Sequence, residues 1–258
     1  MFGIRTFMCS AAVVAALSAA STAGAVSLEM TKYSRQNAAQ AQTQMSDYLA
    51  SHRVSNLRTE TFDSYDAWNG TTGSANPKKT NVGSFTARGK AGSGKSSFNG
   101  GDKLQVRNDN SMKWGRYNSN TPSSTGIGNN WLDSNDNQKM EWRVKSDKSF
   151  NTIGFFVSDI ADVGGKFSIK VGNKVFSDLA NGKKLKSGNV HFVLITLDEM
   201  VKNTRVVLMH DRANDGFGID TAMVANVEPV PLPPAAALLL TGVAGIGALR
   251  LRRKKASA

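Results

Sequence analysis

The chain has 258 residues, 40% of them hydrophobic and 8% aromatic, enough apolar material for a packed core and too much for wholesale disorder. A single cysteine excludes an intrachain disulfide framework. The 32 Lys and Arg outnumber the 20 Asp and Glu to give a formal charge of +12, a balance that invites a nucleic-acid partner until the charges are located along the chain.

Residues 1–25 follow an export pattern. Arg5 precedes an apolar run from Cys9 to Ala20, and Ala23-Gly24-Ala25 offers small residues at the two positions that a signal peptidase reads, Ala23 and Ala25. The run is about a dozen residues, too short to span a bilayer comfortably. Cleavage after Ala25 removes Cys9 with the leader and leaves a mature chain without a thiol, which suits an oxidising exterior.

Residues 26–58 are predicted as an N-terminal helical segment. Residues 31–52 are rich in Ala and Gln with no Gly or Pro, and Tyr33, Asn37, Ala41, Met45 and Leu49 step by four. Thr31 or Ser34 can cap the helix. So sparse an apolar stripe is expected to dock on the chain's own core rather than on a partner.

From Thr59 to residue 229 the period changes to two. Met140, Trp142 and Val144 alternate with polar neighbours, as do Phe167, Ile169 and Val171. Further strands are predicted at Val82–Ala87, Lys103–Arg107, Phe150–Val157, Val190–Leu197, Thr204–Met209 and Gly218–Val227. Gly172-Asn173 reads as a two-residue hairpin turn and Asn181-Gly182 as another turn. Short strands without intervening helical patterns predict one antiparallel β-sandwich over 59–229, jelly-roll-like, with the helix at its N-terminal side. Two polar stretches, 69–101 and 118–130, are either binding loops or plain connections.

Several patterns in this body bear on chemistry. Gly89 to Ser96 spells G-x-x-x-x-G-K-S, but Ser97, Phe98, Asn99, Gly100 and Gly101 follow, and they cannot sustain the helix that a phosphate-binding loop needs. Asp133 to Asn137 places oxygen donors at alternate positions, yet Gln138 stands where a calcium loop needs Gly and Val144 where it needs Glu. Asp211, Asp215 and Asp220 form a second oxygen-rich set, read either as a tight turn at Asp215-Gly216 or as calcium ligands. His52, His191 and His210 show no zinc spacing, and no nucleophile elbow occurs. A glycosidase pair of carboxylates is compatible with the sequence, but nothing singles out two residues. Trp114, Tyr117 and Trp131 lie in or beside polar loops, where they either cap the core or stack on sugar rings, with Arg107, Asn108, Asp109 and Arg116 as neighbours for hydroxyls.

The end of the chain, 230–258, has three parts: Val230-Pro231-Leu232-Pro233-Pro234, an uncharged run from Ala235 to Leu249, and a cluster of Arg250, Arg252, Arg253, Lys254 and Lys255. A helix over 234–251 would measure roughly 27 Å, just enough to cross a hydrocarbon core. The basic cluster predicts that it faces the cytoplasm, leaving 26–229 outside. This tail resembles the bacterial PEP-CTERM sorting signals, and within them the VPLPA variant, through Val230, Pro231, Leu232 and Pro233, the glycines Gly242, Gly245 and Gly247 and the terminal cations. It departs from the variant by Pro234, where Ala is expected. The resemblance implies processing by a membrane-embedded exosortase in a Gram-negative bacterium, often one that makes exopolysaccharide. The turn at Asn214 to Phe217 is similar to a closing segment of exported β-sandwich proteins with such tails.

The expectation is therefore a non-catalytic protein, in the envelope membrane before processing and then at the cell surface or outside it. It would need no cofactor, with calcium as an option. Without Arg5 and the five tail cations the charge falls to +6, which suits an anionic exopolysaccharide better than nucleic acid. A surface polysaccharide hydrolase and a purely structural matrix protein are the alternatives.

Overall fold

The computed structural model describes residues 26–33, 38–68, 72–90, 103–108, 130–212 and 215–228. The leader, the tail with its apolar run, and Trp114 and Tyr117 lie outside the described residues. Those described form a mainly β structure: one antiparallel ten-stranded sheet and one helix. The elements are β1 (Val26–Tyr33), α1 (Ala38–Ser51), β2 (Val54–Glu60), β3 (Gly83–Arg88), β4 (Gln105–Arg107), β5 (Trp131–Asp133), β6 (Lys139–Ser158), β7 (Phe167–Val171), β8 (Lys174–Phe176), β9 (Val190–His210) and β10 (Gly218–Val227). Among the described residues no helix is long and apolar enough to cross a membrane.

The expected N-terminal helix is present but shorter, and the segment 26–58 is more than helical. Val26, Leu28 and Met30 alternate with Ser27, Glu29 and Thr31, so this stretch pairs with β9 in register from Val26↔Leu197 to Tyr33↔Val190. After the helix the chain re-enters the sheet as β2 beside β10, and the predicted boundary at 59 falls inside that strand. Sheet hydrogen bonding outweighs the local helical preference at both ends of the segment.

Two long strands organise the sheet. The predicted strands at 140–144 and 150–157 are one element, β6, and those at 190–197 and 204–209 are another, β9. The first half of β6 pairs with β3 and with the second half of β9, which pairs in turn with β7. The second half of β6 pairs with β10 and with the first half of β9, whose other edge holds β1. Between the halves the register slips twice: extra residues on β6 between Lys145 and Phe150, then extra residues on β9 between Val201 and Thr196. Such bulges bend and twist the strands. The corner is polar and largely exposed at Lys145, Asp147, Lys148, Asp198 and Glu199, so bending there costs no core.

The bend brings apolar faces of the two halves together. Phe85 of β3 stacks on Trp142 at 5.1 Å, and Trp142 meets Phe155 edge-on at 6.0 Å. Val144, Ile153, Val157, Ile169, Val193, Val206 and Leu208 complete the same buried cluster. Gly83 opens β3 at φ +118, where a Cβ would run into the carbonyl oxygen of Arg143, so glycine is what allows the strands to close at that point. The Gly172-Asn173 hairpin forms as predicted between β7 and β8, with Gly172 at φ 56.

A groove beneath the helix as candidate functional site

The helix α1 covers the outer face of the half-sheet made by β1, β9, β6 and β10. Ala41 and Met45, one turn apart, bury against Phe156, Val190, Phe192, Leu194 and Met223. The expectation that this helix docks on its own domain agrees with that packing. Gln44 ties it to β1 by donating to Thr31 Oγ1 at 3.1 Å and accepting from the Tyr33 hydroxyl.

Beyond Met45 the helix no longer fills the face. Ser27, Thr196, Thr152 and Ala225 stand in one cross-strand row there, small side chains that leave space. The result is a groove of about 720 Å³. One wall is the last helical turn, where the Tyr48 and His52 rings lie 4.4 Å apart with a 33° tilt. His52 Nδ1–H donates to the Tyr48 carbonyl at 2.8 Å, so the ring closes the C-terminus of the helix. The other wall carries Thr31 and Thr196, with the fully buried Thr152 beneath them.

At the foot of that wall Thr152 Oγ1 donates to Asn151 Oδ1 at 3.1 Å. Asn151 in turn accepts from Val227 N at 2.9 Å and donates to Val227 O at 2.8 Å, extending β10 by a side chain. This chain of bonds holds one wall in place. Burial raises the Tyr48 phenol above its ordinary value; the Glu29 charge adds to the rise and the nearby Thr152 hydroxyl opposes it. The phenol is therefore neutral at physiological pH and can both donate and accept.

Three carboxylates, Glu29, Asp198 and Glu228, line the same groove. The Arg53–Glu228 contact at 3.8 Å is exposed on both sides and holds little energy. A tilted aromatic pair, two threonines and three carboxylates in one concave site can receive a polyhydroxylated ligand, whose ring faces stack and whose hydroxyls donate. No protein-family model matches this chain, and no curated protein matches it. The geometry alone therefore carries the functional reading.

The residues singled out by sequence lie elsewhere. Trp131 is 1% exposed, with the Arg107 guanidinium 6.0 Å from its ring and Gly218 close against it. Its ring is thus buried on the core side, the first of the two alternatives given for it. Arg107 is likewise buried, paired with Asp133 at 3.2 Å rather than offered to hydroxyls. Asp133 also accepts from Asn135 N at 2.9 Å, and Asn137 donates to Ser134 O at 2.8 Å and to Lys103 O at 3.4 Å. Asn135 and Asp136 adopt left-handed conformations at φ 52 and 57, as a tight turn requires. The oxygen-rich run after β5 thus turns its side chains inward to hold that turn.

Asp211 is exposed and accepts from Lys166 N at 2.7 Å, whereas Asp215 and Asp220 are buried. Asp220 accepts from Thr221 N at 2.6 Å. Among the described residues no three of His, Cys, Asp and Glu are grouped to hold a metal ion. Of the patterned G-x-x-x-x-G-K-S run only Gly89 and Lys90 are described, in a bend after β3. His191 and His210 are buried, and burial lowers both.

Sequence reasoning missed the groove because its residues come from five elements. Glu29 and Thr31 are outward residues of β1, a strand in a segment expected to be helical, whereas Tyr48 and His52 are a legible i, i+4 pair. Nothing local announces that Thr152, Thr196 and Asp198 face them.

Proposed function

We propose that this chain is an exported, non-catalytic β-sandwich protein, jelly-roll-like, that binds polysaccharide at the cell surface or in the surrounding matrix. The sandwich reading draws support from the Trp142–Phe155 contact between two halves of one strand. The export reading draws support from the leader ending at Ala23 and Ala25 and from the Val230-Pro231-Leu232-Pro233 tail with its apolar run and basic end. An exosortase-type protease would process that tail after the 234–251 helix has held the protein in the membrane.

The observation that carries the binding reading is the groove itself: the Tyr48–His52 ring pair opposite Thr31 and Thr196. Binding there needs no cofactor, and calcium is an optional ligand that an EDTA arm detects. A second reading, a polysaccharide hydrolase, draws on the presence of Glu29, Asp198 and Glu228 in the same groove, since glycoside hydrolysis uses two carboxylates.

A glycan array probed with the exported protein, with and without EDTA, tests both. The expected result is binding to a polysaccharide that drops roughly tenfold in Tyr48→Ala, measured at a temperature where the variant is still fully folded. An array silent for every neutral and acidic glycan overturns the binding reading in favour of a purely structural role. Release of reducing ends that disappears in Glu29→Gln, Asp198→Asn or Glu228→Gln promotes the hydrolase. Mass spectrometry of the exported protein tests the tail: Arg252 to Ala258 still attached in cells with an active sorting protease refutes processing there.

A further inference from the structure

Among the described residues, no element covers the outer face of the half-sheet on the other side of the bend. Its outward positions follow from the register: Thr86, Glu141, Val207 and Lys170 form one cross-strand row, Arg143 and Arg205 another, and Arg88 and Lys139 a third. Lys145 extends the β6 column. Six cations, Arg88, Lys139, Arg143, Lys145, Lys170 and Arg205, thus share the strand positions of this face with one carboxylate, Glu141. Strands lie about 4.8 Å apart and same-face residues about 6.7 Å apart along a strand, so the cations form a close lattice.

Arg143 and Arg205 stand directly opposite each other on neighbouring strands, an arrangement that costs stability unless an anion sits between like charges. Glu141 is that anion within the chain. It accepts from Arg143 Nε at 2.7 Å, and the Arg88 and Arg205 guanidiniums approach it at 3.6 and 3.8 Å. Burial raises the Glu141 carboxyl, but the Arg143 bond and the charges of Arg205 and Arg88 outweigh it and hold the group below the usual carboxylate range. The three arginines remain 48%, 58% and 59% exposed, so most of their N–H groups point to solvent.

We infer that this face binds an acidic polysaccharide, a linear polymer bearing carboxylates, through Arg88, Arg143, Arg205 and the flanking lysines. Glu141 is a built-in example of the recognised group, since three guanidiniums already converge on one carboxylate. Charge complementarity names a polyanion, and the absence of aromatic side chains from the outward strand positions of this face favours a polysaccharide over single-stranded nucleic acid, which binds by stacking its bases. The inference rests on the proposed surface role but not on the groove, which lies on the opposite layer and carries carboxylates instead.

The test is affinity of the exported protein for polygalacturonate, with dextran and single-stranded DNA as comparison polymers, over a salt series. Polygalacturonate is expected to bind at low salt and weaken steeply as salt screens the face, with dextran unaffected by salt. Arg143→Gln/Arg205→Gln is expected to lose roughly tenfold or more. Lys145→Gln/Lys170→Gln, which leaves the Glu141 ion pairs in place, is expected to lose less but measurably. Glu141→Gln frees the three arginines and is expected to gain affinity. No binding of polygalacturonate at low salt, indifference to both double variants, or equal binding of DNA overturns the inference. Tyr48→Ala should leave polygalacturonate binding unchanged, so failure of the groove and failure of this face are read separately.

Discussion

Trp142 and Phe155 belong to the same strand, yet their rings meet at 6.0 Å in an edge-to-face contact. Thirteen residues of straight strand would hold them roughly 43 Å apart. The double register slip between β6 and β9 is what folds the strand and lets both rings enter one core. Truncating either ring to Ala should cost about 3–5 kcal/mol. The double variant should cost less than the two single losses together, because the rings share a contact worth about 1 kcal/mol. Urea unfolding of the four proteins measures this, and strict additivity would mean that the contact contributes nothing.

Gly83 supplies a second check on the same core. A Cβ there meets the Arg143 carbonyl oxygen, and the backbone already stands at φ +118. Neither can relax by turning a side chain, so Gly83→Ala should destabilise by several times the about 1 kcal/mol that separates Gly from Ala in an unconstrained strand. A melting temperature within a degree or two of the parent would show that β3 does not approach β6 this closely.

The Arg107–Asp133 pair is buried at 4% and 1% side-chain exposure. Removing one partner strands a charge, so Arg107→Met should cost about 3–5 kcal/mol, whereas replacing both with apolar residues should recover most of the loss. Denaturant midpoints of the two single variants and the double variant decide this. A double variant no better than the worse single would mean that the pair does more than neutralise itself, for instance through the Asn135 N–H that Asp133 also accepts.

His191 donates from Nε2 to Asn189 Oδ1 at 2.8 Å and is pushed down to about 4, chiefly by burial, with the Lys32 charge adding. The unfolded chain therefore binds a proton at pH values where the folded chain does not. Stability is complete above about pH 6.5 and falls as the pH drops toward 4, by roughly 3 kcal/mol from this residue. His210 shifts in the same direction, so the contribution is read as the difference between the parent and His191→Leu across a pH series of unfolding curves. Parallel curves for the two proteins would place the acid sensitivity elsewhere.

Much of the sheet was legible locally. The alternation at Met140, Trp142 and Val144 and at Phe167, Ile169 and Val171 marks strands with one buried face, and Gly172-Asn173 marks their hairpin, because pleat and turn geometry act over two to four residues. The helix was legible too, though its ends were not, since β1 and β2 gain hydrogen-bonded partners more than a hundred residues away.

What only the tertiary structure decided is which residues stand opposite which. Residues 152–158 are buried on both faces because α1 arrives over one of them, and no local pattern encodes that. Register set Arg143 against Arg205 and placed Glu141 among three arginines; to the eye on the sequence these are ordinary outward residues of half-buried strands. The same holds for the groove, where Glu29, Tyr48, Thr152 and Asp198 converge. The composition and the two ends of the chain predict an exported, modestly basic protein, but a net charge carries no positions. Folding sorted that charge by place in the sheet, with arginines on the outer face of one half and carboxylates in the groove on the other half, because alternate residues of each strand point to opposite sides and pairing alone determines their company.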